Sequence, residues 1–431
     1  MKRVLIISYY WLPSGGSGVQ RWVKFCKYLP QMGWKPIVYT PENPEFSVID
    51  HTIGSDLPPT IEVVKRKIWE PYQLYKRFAG KKEEKVSTAG FVSENSILSW
   101  KGKLSIWLRG NLFIPDPRCF WVRPSVKFLK KYIAKNNIDA IISTGPPHSM
   151  HLIAARLKKH FPSIKWVADF RDPWTDIYFY KELNLTKIAD SLHHRLEKKV
   201  VQNADVVVTI SQNCVNGFLL IKQKNIELIT NGFDEDDFLQ GEVELDKKFS
   251  IAHIGLLDKA RNSLMFWQVL SEICKENTDF KNDLEIKLIG KVDYSVLSEI
   301  KKLNLTDNLK KIDYLPHNEA ILEQKRSAVL LLSINNTSSA KGILTGKIFE
   351  YLAARRPIFA IGPTDGDAAE IIRATNAGKI VDFNDFESTK KTIIDFYQKY
   401  KNGVLTTENA AIDKYNRKNL TKQLVEILNK L

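Results

Sequence analysis

A loop that contains glycine and threonine, residues 342–346, precedes a predicted helix, residues 347–354, and the two together resemble an anion-binding site. The first backbone N–H groups of a helix lack intrahelical partners and attract anions, phosphate above all. Lys347 lies in the first turn, where a cation is unfavourable unless a bound anion compensates it. Glu350 follows three residues later, on the same helix face. This face offers donors for a diphosphate and a carboxylate for hydroxyl groups. The alternative interpretation is a capped surface helix with an unrelated Lys/Glu pair.

Polar residues also follow two predicted strands in the first half of the chain. His148 follows the strand 140–144, while Arg171 and Asp172 follow the strand that ends near Asp169. Ligands of open parallel sheets bind beyond the carboxyl ends of the strands, so these four residues are predicted to line a cleft. The alternative for Arg171 and Asp172 is a structural ion pair.

The sequence predicts no metal site and no disulfide framework. His148 and His151 are three residues apart, but no third ligand accompanies them. The acidic run 234–237 is interpreted as an exposed turn. The four cysteines are far apart and form no Cys-x-x-Cys pair, which indicates a reducing compartment.

Eleven short apolar runs alternate with segments of helical periodicity, a pattern typical of parallel sheets covered on both faces. This number exceeds one comfortable sheet, so we expect an α/β chain with two doubly wound sheets joined near residues 212–248. The runs are 4–8, 36–40, 140–144, 166–170 and 206–211 in the first half, and 226–230, 249–255, 284–290, 329–334, 358–361 and 379–383 in the second. The segment 401–431 is predicted to be a terminal helix, with Leu420, Leu424, Ile427 and Leu428 on one stripe.

The net charge of +15 lies entirely in the first half, because residues 1–200 hold 33 Lys and Arg against 17 Asp and Glu. Such an excess suggests an anionic partner: a membrane surface, an anionic lipid carrier or nucleic acid. No RNA- or DNA-binding motif is present, so nucleic acid is disfavoured. No run of 18 apolar residues occurs, so no membrane span is predicted.

A Trp-containing stripe interrupts the least regular region, residues 65–123. Its members, at helical spacing, are Ile97, Trp100, Leu104, Trp107 and Leu108, with basic residues elsewhere on the helix. Such a helix lies either in a membrane interface or against a protein core.

The loop 13–18 follows the first predicted strand and contains three glycines, which allow a close backbone approach to a ligand. It is not Gly-x-Gly-x-x-Gly, and no acidic residue ends the second strand. A dinucleotide site is therefore disfavoured.

Several stretches, in their order and spacing, resemble family 4 of the nucleotide-sugar glycosyltransferases, which have the GT-B fold, over nearly the whole chain. They are Gly15-Gly16 with Arg21, then 196–211, 230–234, 254–261, 314–319 and 347–357. Segment 169–174 is further similar to members that build bacterial surface polysaccharides.

The resemblance implies an α/β protein of two facing Rossmann-like domains, the GT-B fold, with a cleft between them. Residues 1–212 would bind the acceptor and residues 213–404 the nucleotide sugar. A helix within 405–431 would pack back toward the N-terminal domain.

Position by position, the resemblance implies that Glu350 binds the donor ribose hydroxyls and that Arg261 and Lys347 neutralise the diphosphate. Gly16 would approach the diphosphate from the other side of the cleft. Asp172 is the candidate for orienting the acceptor hydroxyl. The other donor-binding residues are Gly15, Gly255, Lys259, Thr345, Gly346 and Tyr351, and the acceptor-side residues are His148 and Arg171.

Three positions depart from the family pattern. Gly342 stands eight residues before Glu350, where the family often has a second Glu, and Leu256 stands where an Arg is usual. Arg171 replaces a common His.

The expected activity is a retaining, metal-independent transfer of the hexosyltransferase type, without a cofactor, in bacterial surface polysaccharide synthesis. The donor would be a nucleoside diphosphate sugar, UDP-linked by family frequency, and the acceptor a carbohydrate or lipid-linked glycan. A sugar-nucleotide 2-epimerase of the same fold and an inactive sugar-nucleotide-binding scaffold stay open as alternatives. The expected location is the cytoplasm, with peripheral attachment to the inner face of the cytoplasmic membrane as a further hypothesis.

Overall fold

The computed structural model describes residues 1–45, 49–70, 100–177, 179–239, 241, 243–408 and 410–431. The chain divides into two compact units. The first contains Met1–Thr230 together with Leu420–Leu431, and the second contains Asn231–Asn419. Ile97 of the predicted Trp-containing stripe lies outside the described residues.

The first unit contains a seven-stranded parallel sheet in the order β3-β2-β1-β4-β5-β6-β7. Its strands are β1 (Lys2–Ile7), β2 (Trp34–Pro41), β3 (Glu62–Arg66), β4 (Ala140–Gly145), β5 (Lys165–Phe170), β6 (Val206–Thr209) and β7 (Ile226–Leu228). Its helices are α1 (Ser17–Tyr28), α2 (Trp100–Leu112), α3 (Cys119–Asn136), α4 (Ser149–His160), α5 (Lys187–Asn203) and α6 (Gln212–Leu219).

Side chains that alternate along the first strand enter two different cores of this unit. Leu5 and Ile7 lie in one buried cluster, whereas Val4 and Ile6 lie in the other. Successive side chains of a strand point to opposite faces, so helices must cover the sheet on both sides.

The second of these cores is completed by α14 (Arg417–Lys430). Leu420, Leu424 and Leu428 are buried in the same cluster as Val4. The predicted apolar stripe is therefore confirmed, but the predicted helix 401–431 is too long. The chain turns at Gly403, whose φ is +68°, and the helix begins only at Arg417.

The second unit contains a six-stranded parallel sheet in the order β10-β9-β8-β11-β12-β13. Its strands are β8 (Phe249–Ile254), β9 (Leu284–Ile289), β10 (Leu309–Ile312), β11 (Val329–Ser333), β12 (Ile358–Ile361) and β13 (Gly378–Val381). Its helices are α7 (Leu264–Glu276), α8 (Thr278–Asp283), α9 (Tyr294–Lys302), α10 (His317–Arg326), α11 (Gly346–Ala354), α12 (Asp367–Ala374) and α13 (Phe386–Lys401).

The predicted fold class, an α/β chain with two Rossmann-like parallel sheets, is confirmed. All eleven apolar runs form strands, but the run 226–230 was assigned to the wrong half. It forms β7, which pairs with β6 through Val207 opposite Ile226 and so extends the first sheet.

Within the described ranges, no helix is both long and apolar enough to cross a bilayer.

Candidate functional site

The loop that follows β8 lies against the first turn of α11. Gly255 has φ +108°, and a Cβ built there would lie 2.8 Å from Cε and 3.0 Å from Nζ of Lys347. The left-handed backbone therefore strains any other residue here, and a Cβ would displace the end of the Lys347 side chain. Glycine here lets the Lys347 ammonium contact the backbone of the loop.

The ammonium of Lys347 has neutral partners. Its Nζ lies 2.9 Å from Nε2 of His253 and donates to the Leu256 carbonyl at 3.3 Å. Nδ1 of His253 lies 3.2 Å from the Leu331 carbonyl oxygen, and Nε2 lies 3.2 Å from the Leu256 carbonyl oxygen. In the tautomer with its proton on Nδ1, Nε2 accepts from the Lys347 ammonium. Among the described residues, no carboxylate forms an ion pair with Lys347.

Burial of this site disfavours the charged form of both residues. It lowers the pKa of Lys347 to about 7, and the nearby Arg261 acts in the same direction, whereas Glu350 and Asp258 oppose the shift. Burial, followed by the charge of Lys347, also holds the pKa of His253 well below its usual value. An incoming anion would restore the charged form of Lys347.

Arg261 provides a second cation at the same loop. It ends the 3₁₀ helix Lys259–Arg261, and its Nη1 donates to the Leu256 carbonyl at 3.3 Å, the carbonyl that Lys347 also contacts. Its ion pair with Asp258 is long, at 3.5 Å. Lys259 is exposed on the same 3₁₀ helix. The structure thus brings Gly255, Arg261 and Lys347 together, as the resemblance implies.

The N-terminus of α11 is uncapped. Thr345 is its N-cap residue but makes no side-chain capping bond, and its hydroxyl oxygen is buried without a partner in the described part of the chain. Gly346 opens the helix. The N–H groups of the first turn therefore remain available to an anion beside Lys347.

Glu350 lies one turn further along α11, where Gln324 of α10 donates to its Oε2 at 3.0 Å. The Gln324 side chain is buried, and its Oε1 has no partner among the described residues. Tyr351 instead points into the core, where its hydroxyl accepts from the Ile254 N–H at 3.2 Å. Glu350 therefore faces the site, whereas Tyr351 joins the helix to β8.

Sequence reasoning did not identify His253 and Gln324. The signal in the sequence is faint: His253 interrupts the apolar run 249–255 two residues before Gly255, and Gln324 is one of many polar residues on its helix. Their partners lie 94 and 26 residues further along the chain.

In the first unit, the glycine loop before α1 contacts Arg171. Gly16 is the N-cap residue with φ +104°, and apart from its chain neighbours no described residue has an atom within 4 Å of the position that its Cβ would occupy. A Cβ on Gly18 would overlap Nη1 of Arg171 at 1.7 Å, so the guanidinium covers this glycine. Arg171 also donates to the Pro146 carbonyl, and burial lowers its pKa. Gly15 is partly exposed in the same loop.

Asp169 lies in the core and does not line an open cleft, which corrects the expectation from the sequence. Its carboxylate forms a 2.9 Å ion pair with Arg21 and accepts from the Trp22 indole and the Thr144 hydroxyl, each at 2.9 Å. Arg21 also donates to the Thr230 carbonyl at 2.7 Å. The pair therefore joins three segments of the first unit.

Asp172 is partly exposed, two residues after the end of β5. Desolvation raises the pKa of its carboxyl to about 6, although the charge of Arg171 opposes the shift. Asp172 and Arg171 do not approach within salt-bridge distance in the described structure, so the alternative of a structural ion pair is wrong. At neutral pH Asp172 is an ionised carboxylate of raised basicity.

The loop that carries Asp172 is fixed by α5. Glu197 accepts from the Trp174 N–H at 3.0 Å and from the Thr175 hydroxyl, and the Trp174 indole donates to His193 at 3.0 Å. These bonds join the loop to α5.

His148 is enclosed. It stacks on Trp174 with ring centroids 4.7 Å apart, and burial holds its pKa well below the usual value. A Cβ on Gly145 would lie 3.1 Å from its Nδ1. The structure therefore places His148 behind the loop of Asp172.

No protein-family model and no curated protein sequence matches the chain. Solved structures do. Anabaena HepE in complex with UDP-glucose is 13% identical, with a TM-score of 0.63 over 100% of both chains. WaaG, described as a glycosyltransferase involved in lipopolysaccharide biosynthesis, is 11% identical, with a TM-score of 0.57 over 99% of both chains. These likenesses establish the architecture. The fold is GT-B.

The same fold includes a second class of protein. A putative UDP-N-acetylglucosamine 2-epimerase from Listeria monocytogenes is 11% identical, with a TM-score of 0.57 over 100% of this chain and 96% of its own. At such identities the likeness concerns the GT-B fold alone.

Proposed function

We propose that this GT-B protein is a retaining glycosyltransferase of the family 4 type. It transfers a sugar from a nucleoside diphosphate sugar to a carbohydrate or lipid-linked glycan acceptor. The observation that carries the proposal is the ammonium of Lys347, which lies on the Gly255 backbone beside Arg261 and an uncapped helix terminus without a carboxylate partner among the described residues. Such a site is suited to a diphosphate.

The chemistry follows from where charge develops. Cleavage of the bond between the anomeric carbon and the diphosphate leaves negative charge on the leaving group and an oxocarbenium-like sugar. Lys347, Arg261 and the N–H groups of α11 stabilise that charge, so the proposed reaction needs neither a metal nor a cofactor. Glu350, held by Gln324, accepts from the ribose hydroxyls.

The acceptor hydroxyl is assigned to the first unit. Asp172, whose pKa is raised to about 6, accepts a hydrogen bond from that hydroxyl and orients it. No protein nucleophile is proposed.

Two of the similar proteins support a narrower version of this function. HepE was solved with UDP-glucose, and WaaG is described as acting in lipopolysaccharide biosynthesis. We therefore propose a UDP-linked donor and a role in bacterial surface polysaccharide synthesis.

A thermal-shift screen of UDP, GDP, ADP and sugar nucleotides, without added metal, tests the donor site. A ligand at about one hundred times its Kd stabilises the folded protein by roughly 2.7 kcal/mol. We expect UDP to raise the thermal unfolding midpoint of the wild type but not that of Lys347→Met. Lys379→Met, which removes an exposed charge on β13, is the control, and UDP should raise its midpoint as in the wild type. If no nucleotide stabilises the wild type, the donor site is wrong.

The 2-epimerase is the second candidate, because its overall architecture is equally similar. Incubation with the sugar nucleotide that binds, in the absence of an acceptor, separates the two. Formation of an epimeric sugar nucleotide would establish the epimerase, whereas binding without turnover under any acceptor would indicate an inactive scaffold.

A further inference from the structure

Two neighbouring helices of the first unit carry charged side chains of one sign only. Helices α3 and α4 together contain eight Lys and Arg and no Asp or Glu. The excess of the first half is thus concentrated on one pair of elements.

The basic side chains of this pair form a groove. Its lining consists of Arg123, Val126, Lys127, Lys130, Lys131 and Arg156. None of the five cations forms an ion pair with a carboxylate anywhere in the described part of the chain. Like charges brought together without counter-charges raise the local potential, which an external polyanion lowers.

The exposed face of α3 begins with an aromatic residue. Phe120, Arg123, Lys127 and Lys131 are all exposed and follow one another at helical spacing. Phe120 is 44% exposed and contacts Trp69, which is 56% exposed, in an edge-to-face arrangement at 4.9 Å. Exposed aromatic side chains therefore continue the basic face at its N-terminal end.

Leu112 extends the apolar end of this face. It ends α2 and is 62% exposed, and the next residue, Phe113, has its ring 5.8 Å from that of Phe120. Large apolar side chains left in solvent beside one another mark an interaction surface more often than scattered single ones do.

We propose that the basic face of α3 and α4, with Phe120 and Trp69 at its end, docks on an anionic lipid bilayer. Cations of this kind attract anionic headgroups, and aromatic rings partition into the interface between headgroups and acyl chains. The proposal is independent of the proposed sugar transfer, since it concerns a different face and needs no nucleotide.

A bilayer fits this surface better than a nucleic acid does. Proteins that bind single strands place aromatic side chains among the cations, so that bases stack along the charged groove. Here the groove is lined by Val126 and basic residues, and the aromatic rings contact one another beyond its end. That separation matches headgroups on one side and acyl chains on the other.

Flotation with vesicles tests the proposal on the full chain, without substrate. One set of vesicles is phosphatidylcholine alone, and the other contains 40% phosphatidylglycerol. We expect binding only to the anionic set, with loss at high salt because the attraction is screened. Lys127→Gln/Lys130→Gln/Lys131→Gln should weaken binding roughly a hundredfold, on the usual contribution of each basic residue near a membrane surface.

A matched control removes the same charge elsewhere. Lys275→Gln/Lys301→Gln/Lys302→Gln changes three exposed lysines on α7 and α9 and should bind like the wild type. Phe120→Ser should weaken binding to the anionic vesicles, and the binding that remains should still be lost at high salt. Circular dichroism melting shows whether each variant is folded, and the salt series on the wild type needs no variant at all.

Three results would overturn the proposal: no flotation of the wild type with anionic vesicles, equal loss in both triple variants, or equal binding to neutral vesicles. Binding of the wild type to a single-stranded oligonucleotide, lost in the α3 triple variant while vesicles do not bind, would assign the face to nucleic acid instead.

Discussion

Lys347 and His253 form a partly buried pair. The lysine ammonium donates to the neutral imidazole, with Nζ 2.9 Å from Nε2. In the tautomer that donates from Nδ1 to the Leu331 carbonyl, Nε2 has a lone pair available for the ammonium. A cation held this way keeps its charge weakly, and it is oriented before an anion arrives.

The first prediction is that donor affinity falls as pH rises above about 7. The folded pKa of Lys347 is about 7, so a rising fraction of the free protein has a neutral amine that must take up a proton to bind the diphosphate. Titration calorimetry from pH 6.5 to 9 should show affinity falling by up to about tenfold per pH unit.

Lys347→Arg is the control for this pH dependence, because a guanidinium stays charged over this range. A variant that binds should show a flat profile. A wild-type affinity that does not change with pH would contradict the assignment of the proton to Lys347.

The second prediction concerns His253. His253→Leu removes the acceptor of Lys347 and leaves the Leu331 carbonyl without its partner, so we expect a loss of about 1–3 kcal/mol in the free energy of unfolding. His253→Gln, which retains an acceptor, should recover part of the donor affinity. Urea unfolding and calorimetry measure the two effects separately. Equal donor affinity in all three proteins would exclude a positioning role.

The third prediction distinguishes the role of Glu350 from that of Gln324, which donates a hydrogen bond to it. Glu350→Ala should abolish transfer without unfolding the protein, because it removes the acceptor for the ribose hydroxyls. Gln324→Leu keeps the Glu350 carboxylate but removes the hydrogen bond that positions it. Because a hydrogen bond to a charged group contributes about 1.5–3 kcal/mol, KM should rise roughly tenfold while kcat changes little. Steady-state kinetics checks both, and unaltered turnover of Glu350→Ala would reject its role.

The fourth prediction uses the raised pKa of Asp172. Its folded pKa of about 6 exceeds the usual carboxyl value of 3.8, so the folded protein binds the extra proton between pH 4 and 6 and loses stability as pH rises through that window. Asp172→Asn should therefore raise the thermal midpoint at pH 8 by several degrees and leave it unchanged at pH 4. The same variant should lose transfer activity at pH 8. A variant that is active and no more stable would contradict both parts.

The fifth prediction concerns the core of the first unit. Asp169→Ala leaves the Arg21 guanidinium buried beside an apolar residue, which should cost about 3–5 kcal/mol in the free energy of unfolding. Arg21→Met/Asp169→Leu removes both charges and should be less destabilised than the sum of the single changes. Urea unfolding of the wild type, Arg21→Met, Asp169→Leu and the double variant measures the coupling. Additive losses would show that the pair contributes no mutual stabilisation.

Local patterns in the sequence predicted the periodic parts of the fold. The eleven runs all form strands, and most of their residues are apolar, as is typical of strands in a sheet covered on both faces. β3 and β10 were missed, since each pairs on one side only and carries charges such as Arg66 and Lys310, which leave no apolar run to detect. Neither segment alternates apolar and polar residues, the pattern by which a half-buried strand is recognised.

The candidate site likewise contains contacts that local patterns predict and contacts that they do not predict. The spacing of Lys347 and Glu350 predicts that both lie on one helix face, and the family resemblance names Gly255, whose backbone lies against Lys347 in the structure. Contacts such as Arg21 with Asp169, which are 148 residues apart, depend on how strands are ordered in the sheet. No local pattern encodes that order, so Asp169 was assigned to an open cleft.

The first unit is made from two separate stretches of the chain, and Leu420–Leu431 supplies part of its core. During synthesis, residues 231–419 emerge before that stretch does. The first unit therefore cannot cover the apolar faces of Val4 and Ile6 until the stretch that follows the whole second unit has been synthesised. Those faces are the surface that a chaperone would recognise in the nascent protein.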